Sequence, residues 1–112
     1  MILGFIGTGK IASSVITGIC KSKISYKKII ISPRNKNIAR NLKKNFKKIE
    51  IARNNQQLVN KSDWIFLSVT PDVGEKIIKN LKFKTKQIII SFISTITLPK
   101  LKKVIKVKAK IY

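Results

Sequence analysis

Gly7 and Gly9, followed by Ala12, are the residues of this chain best suited to hold an anion. Gly7 permits a tight turn. Gly9 carries no Cβ, so a pyrophosphate can approach the backbone. Ala12 is small, so a helix can pack closely on the preceding strand. The apolar run Ile2–Ile6 leads into the turn, and Ile11, Val15, Ile16 and Ile19 follow at helical spacing. A strand, a glycine turn and a helix start therefore occur in the order of a dinucleotide grip. The helix N-terminus would offer free N–H groups and a partial positive charge to phosphates. Such a turn also serves an ordinary strand-turn-helix. The βαβ pattern that follows favours the dinucleotide.

A site for NAD usually ends its second strand in Asp or Glu, which accepts from the ribose 2′-hydroxyl. Here that position reads Ser32-Pro33-Arg34-Asn35, without a carboxylate. The Arg34 guanidinium and the Ser32 hydroxyl suit a 2′-phosphate, through charge-assisted hydrogen bonds. This favours NADP(H). The competing reading makes Ser32-Pro33 a plain turn and Arg34 a solvated cation.

Other chemistry is scarce. The chain has no histidine, which removes the commonest general base and metal ligand. Its four acids, Glu50, Asp63, Asp72 and Glu75, are scattered and form no pair of catalytic spacing. No metal site is expected. Asp63 is read as a strand start, and Asp72 and Glu75 as complements to a helix dipole. The single cysteine, Cys20, cannot form an internal disulfide and is read as a small core residue. Hydride transfer suits a chain of this kind, because the cofactor carries the chemistry and the protein positions it.

The net charge of +21 in 112 residues is extreme and by itself suggests a polyanionic partner. The lysines are spread over almost the whole chain, however, in pairs such as Lys27-Lys28, Lys43-Lys44, Lys47-Lys48 and Lys102-Lys103. That distribution reads as a solvated basic surface, with only non-specific attraction to nucleic acid. No helix-turn-helix, zinc site or aromatic-lined sheet motif supports nucleic-acid recognition. No apolar run reaches the roughly 20 residues of a membrane span. The N-terminus lacks a basic segment with a long apolar stretch, so no signal peptide and no membrane partner are expected. A cytoplasmic location fits the lone cysteine.

The elements that must position the grip alternate. Strands are predicted at Ile2–Ile6, Lys28–Ser32, Lys48–Ile51, Asp63–Val69, Gln87–Ile93 and Ile105–Ile111, the last as a half-exposed edge. Helices are predicted over Lys10–Lys21, Lys36–Phe46, a short stretch capped by Asn54 or Asn55 and reaching Lys61, a stretch opening at Pro71-Asp72, and one opening at Thr97 or Pro99. The fold class is α/β: a Rossmann-type doubly wound parallel sheet in three αβα layers, with about six strands. Its ligand crevice should lie at the carboxyl ends of the strands, beside the first. At this length the chain is one domain, residues 1–112.

Gly4-Phe5-Ile6-Gly7-Thr8-Gly9-Lys10-Ile11-Ala12, Ser32-Pro33-Arg34-Asn35, Asn55, Ser62-Asp63-Trp64-Ile65-Phe66-Leu67-Ser68-Val69-Thr70-Pro71 and Ile90-Ser91-Phe92-Ile93-Ser94-Thr95-Ile96-Thr97 stand in an order that resembles the pyrroline-5-carboxylate reductases. The resemblance covers the chain but only the N-terminal half of such an enzyme. It implies reduction of 1-pyrroline-5-carboxylate to proline with NADPH or NADH. It also implies site residues. Ile6, Gly7, Thr8, Gly9, Lys10 and Ile11 would wrap the pyrophosphate. Ser32, Arg34 and Asn35 would lie at the adenosine ribose phosphate, with Asn55 against the cofactor. Val69, Thr70 and Pro71 would border the nicotinamide-side ribose, and Ser94 the nicotinamide. Two departures stand out. Thr70 replaces a family lysine, and Ile93-Ser94-Thr95 replaces Ala-Ala-Gly, with bulkier side chains near a substrate pocket. The family's helical domain, which forms its homo-oligomer and most substrate contacts, is not among residues 1–112. A partner chain supplying that half is one possibility.

Three function classes follow. The first is an NADP-dependent reductase of a small-molecule substrate, of which this is the nucleotide half. The second is a non-catalytic NADP-binding module from a truncated or split enzyme. The third is a basic nucleic-acid-binding protein.

Overall fold

The computed structural model describes residues 1–93 and 95–112. Among these residues, six strands and five helices alternate. The strands are β1 (Ile2–Ile6), β2 (Lys28–Ile31), β3 (Ile49–Ile51), β4 (Trp64–Leu67), β5 (Ile88–Ser91) and β6 (Lys110–Ile111). The helices are α1 (Lys10–Lys21), α2 (Lys36–Asn45), α3 (Asn55–Lys61), α4 (Pro71–Lys79) and α5 (Leu98–Ile105).

All six strands are parallel, in the order β3-β2-β1-β4-β5-β6. The central strands carry apolar residues without alternation, because a parallel sheet is covered on both faces. Leu3, Phe5, Ile29 and Ile31 meet Ala12 and Ile16 of α1 and Ala39 and Leu42 of α2 on one side. Ile6, Ile30, Ile65 and Ile89 meet Leu58 of α3, Ile78 of α4 and Leu101 of α5 on the other. The result is the three-layer αβα arrangement expected. Each fully buried isoleucine or leucine contributes roughly 1.5–3 kcal/mol of apolar transfer.

Register fixes the floor of the sheet. Phe5 of β1 lies opposite Phe66 of β4, and their rings stack with centroids 4.4 Å apart. Asp63 accepts the Ile2 N–H on its carboxylate at 2.7 Å and donates its own N–H to the Ile2 carbonyl at 2.8 Å. The acid read as a strand start thus ties β4 to β1. Asp72 lies in the first turn of α4, and Glu75 pairs with Lys100 of α5 at 3.3 Å.

Several strands are shorter than predicted, β4 and β5 among them, and the last departs most. The alternation over Ile105–Ile111 reads as a strand, yet Ile105 is the last residue of α5. Lys106 turns the chain at φ 63°, and only Lys110–Ile111 pair with β5. The apolar residues at 105 and 111 both face the core, one from a helix and one from a strand. Two-residue periodicity alone does not separate these cases. Among the described residues, no helix is long and apolar enough to cross a membrane.

Candidate functional site

The chain order reverses between β1 and β4, which lie side by side but lead in opposite directions along the sheet. Loops leaving their carboxyl ends diverge there and leave a crevice. An open cleft of about 690 Å³ lies at that point. The turn after β1 contributes Gly7, Thr8 and Gly9. The loop after β2 contributes Arg34 and Asn35, with Lys36 and Asn37 of α2. The segment after β4 contributes Ser68, Val69 and Thr70.

Gly7 sits at φ +97°, a conformation side-chain-bearing residues rarely adopt. A Cβ there would stand 2.6 Å from the Ser68 carbonyl oxygen. Gly9 differs: a Cβ there would meet no protein atom within 4 Å. Its missing side chain serves the cleft, not the packing. Gly9 is also the N-cap of α1, which has no side-chain hydrogen bond to its first turn and no acid within it. The α1 N–H groups are thus available to an anion. By contrast, α2, α3 and α5 are capped by Asn35, Asn54 and Thr97.

Thr8 is 4% exposed, and its hydroxyl is the buried side-chain polar atom that lacks a partner among the described residues. Such a group is costly unless something bonds it. Among the described residues, Arg34 and Lys36 put two cations on the lining and no carboxylate joins them. The donor set fits a phosphate-bearing ligand: uncapped N–H groups, an orphaned hydroxyl, a bare Gly9 and uncompensated positive charge.

Of the residues singled out from sequence, Gly7, Thr8, Gly9, Arg34, Asn35, Val69 and Thr70 come together on the cleft. Asn35 also caps α2, accepting the Ile38 N–H at 3.3 Å. Lys10 and Ile11 are exposed in the first turn of α1, with Ile11 58% exposed. Ile6 is wholly buried at the end of β1. Pro71 is the first residue of α4. Ser94 lies outside the described residues.

Two placements differ from expectation. Ser32 is 1% exposed and does not line the cleft. It accepts the Gly7 N–H at 3.0 Å, and its hydroxyl lies 2.8 Å from Asn55 Oδ1 and 3.3 Å from the Phe5 carbonyl. Asn55 turns its amide oxygen to Ser32, while Asn54 caps α3 by accepting the Gln57 N–H at 2.8 Å. Lys36, Asn37 and Ser68 join the cleft without having been singled out. The signal for them was positional: Ser68 follows directly on β4, and Lys36 and Asn37 open the helix after β2. The Ser68 hydroxyl donates toward the Ile6 and Gly7 carbonyls, at 3.0 and 3.2 Å.

Among solved structures, the chain is similar to 1-pyrroline-5-carboxylate reductase from Streptococcus pyogenes, with 33% identity and a TM-score of 0.77, over 93% of this chain and 38% of that one. The Plasmodium falciparum pyrroline carboxylate reductase with NADP bound is similar over 99% of this chain and 40% of that one, with 24% identity and a TM-score of 0.81. A pyrroline-5-carboxylate reductase from Coxiella burnetii matches with 21% identity and a TM-score of 0.85, over 97% of this chain and 41% of that one. The last two show the fold. The chain spans about two fifths of the length of these enzymes. Residues 2–95, from β1 past β5, match the family described as "NADP oxidoreductase coenzyme F420-dependent", and the chain belongs to that family.

Proposed function

We propose that the chain is the nucleotide-binding half of an NADPH-dependent reductase acting on 1-pyrroline-5-carboxylate. One observation carries the cofactor part. Among the described residues, the cleft at the strand-order reversal presents an uncapped helix N-terminus, an unpartnered Thr8 hydroxyl and two cations, with no carboxylate on its lining. The substrate part is supported by the 33% identity to the Streptococcus pyogenes enzyme over nearly the whole chain.

Each part of the cleft has a task. The turn Gly7-Thr8-Gly9 and the first N–H groups of α1 hold the pyrophosphate. Arg34, with Lys36 near it, neutralises the 2′-phosphate. Val69 and Thr70 border the nicotinamide-side ribose, and by resemblance to the pyrroline-5-carboxylate reductases Pro71 would join them and Ser94 would lie by the nicotinamide. When bound, NADPH supplies the hydride that reduces the substrate's C=N bond. The described lining residues bind and orient the cofactor. Most substrate contacts are assigned to the helical remainder of the enzyme.

A titration followed by nicotinamide fluorescence tests the cofactor. Saturable NADPH binding that outlasts added DNA is expected, and its absence would overturn the proposal. Turnover of 1-pyrroline-5-carboxylate should need the helical half. Full-rate turnover by residues 1–112 alone would remove that requirement.

A further inference from the structure

Ser32 stands where a 2′-phosphate contact is expected, at the end of the strand beside β1. Its surroundings give it other work. A serine hydroxyl has one proton to donate. The shortest contact for that proton is Asn55 Oδ1 at 2.8 Å, and the alternative, the Phe5 carbonyl, lies at 3.3 Å. The oxygen accepts the N–H of Gly7, 25 residues away, at 3.0 Å. An ionised phosphate only accepts hydrogen bonds, so Ser32 could serve it only by breaking with Asn55. The side chain is also 1% exposed and off the cleft lining.

From this we infer that Ser32 is a positioning residue, which with Asn55 behind it locks the Gly7 peptide, and that discrimination for the 2′-phosphate rests on Arg34 without it. The inference rests on the dinucleotide reading of the cleft and refines it. The lock has a counterpart. Ser68, just past β4, bonds the carbonyl side of the same turn at Ile6 and Gly7. The turn after β1 is therefore gripped by a serine hydroxyl from each flanking strand end, one on its N–H and one on its carbonyls. Gly7 is in neither strand register, and its peptide plane is held by these hydroxyls together with the Ser68 N–H, which donates to the Ile6 carbonyl at 2.9 Å. The direction of that plane decides where the next N–H groups of the turn point.

The test compares the whole chain with Ser32→Ala, Asn55→Ala and Arg34→Ala. Ser32→Ala removes one oxygen and leaves the Gly7 N–H without a buried partner. Its NADPH and NADH affinities should fall together, each about tenfold, leaving their ratio as in the parent chain. Asn55→Ala should shift both the same way. Arg34→Ala should change the ratio. A Ser32→Ala loss confined to NADPH would overturn the inference, as would unchanged affinity for both. Amide hydrogen exchange without ligand supplies an independent arm. Gly7 should exchange about tenfold faster in Ser32→Ala, while the amide of Ile30, deep in the sheet, keeps its rate. Unchanged Gly7 exchange would overturn the lock. If the parent chain bound neither dinucleotide, the cofactor reading would fall, and the exchange arm would still decide the role of Ser32.

Discussion

Gly7 and Ser68 approach so closely that no side chain fits between them: a Cβ on Gly7 would lie 2.6 Å from the Ser68 carbonyl oxygen. The crowding adds to the strain of φ +97° for any residue but glycine. Gly7→Ala should therefore destabilise the fold by roughly 2–4 kcal/mol, from backbone strain together with overpacking. Dinucleotide binding should be lost with it. Urea denaturation followed by circular dichroism measures the first, and fluorescence titration the second. Gly9→Ala is the control. Its Cβ meets no protein atom, so stability should change little while binding falls.

Arg34 tests the choice of nucleotide. It lines the cleft together with Lys36 and no acid. Removing a charged donor from a phosphate contact costs about 1.5–3 kcal/mol, or roughly 10- to 100-fold in affinity. Arg34→Ala should weaken NADPH by that factor and leave NADH within about twofold. Equal losses, read by parallel titrations, would return Arg34 to the status of a solvated cation.

Gln87 should matter to stability more than any surface lysine. It is 4% exposed and precedes β5. Its amide nitrogen donates to the Val59 and Ser62 carbonyls at the end of α3, and its oxygen accepts the Lys84 N–H at 2.8 Å. Gln87→Leu keeps the bulk and takes this partner from the Lys84 N–H and the Ser62 carbonyl, while the Val59 carbonyl keeps the Ser62 N–H; the loss should cost about 1–3 kcal/mol. A melting temperature unchanged within a degree or so would show that water replaces the amide.

Glu50 gives the chain an acid-sensitive contact. Lys28 at 3.0 Å holds its carboxyl below the usual 4.5; burial opposes this, and Lys61 at 3.4 Å adds a smaller push in the same direction as Lys28. A carboxyl lowered in the folded state stabilises the fold above its unfolded value. That contribution is lost as pH falls through the lower folded value. The pair is partly exposed, so the effect is small and screened by salt. Glu50→Gln should melt below the parent at pH 7 in low salt, and the gap should close as acid protonates the folded carboxyl. A gap that persisted at acid pH would assign the loss to packing.

How much of this was legible beforehand varied with the kind of signal. The parallel sheet was legible because the buried strands are unbroken apolar runs, such as Trp64-Ile65-Phe66-Leu67. The glycine turn was legible because Gly7 and Gly9 stand at a strand end. The edge at Ile105–Ile111 was misread in extent, since a helix end and a strand can share one alternating pattern. The duty of Ser32 was hidden for a different reason. Its partners Gly7 and Asn55 lie 25 and 23 residues away, and only the fold shows that their groups meet. The unpaired Thr8 hydroxyl was equally hidden, because sequence shows a donor but not its lack of a partner.

A cleft walled by arginine, lysine, amides and backbone, in a chain without one histidine, behaves as a fixed electrode. Titration between pH 5 and 8 then belongs to the guest. A phosphate monoester changes charge near pH 6, so NADPH should bind more tightly as it acquires its second negative charge, while NADH, lacking that group, should show a flat profile over the same interval.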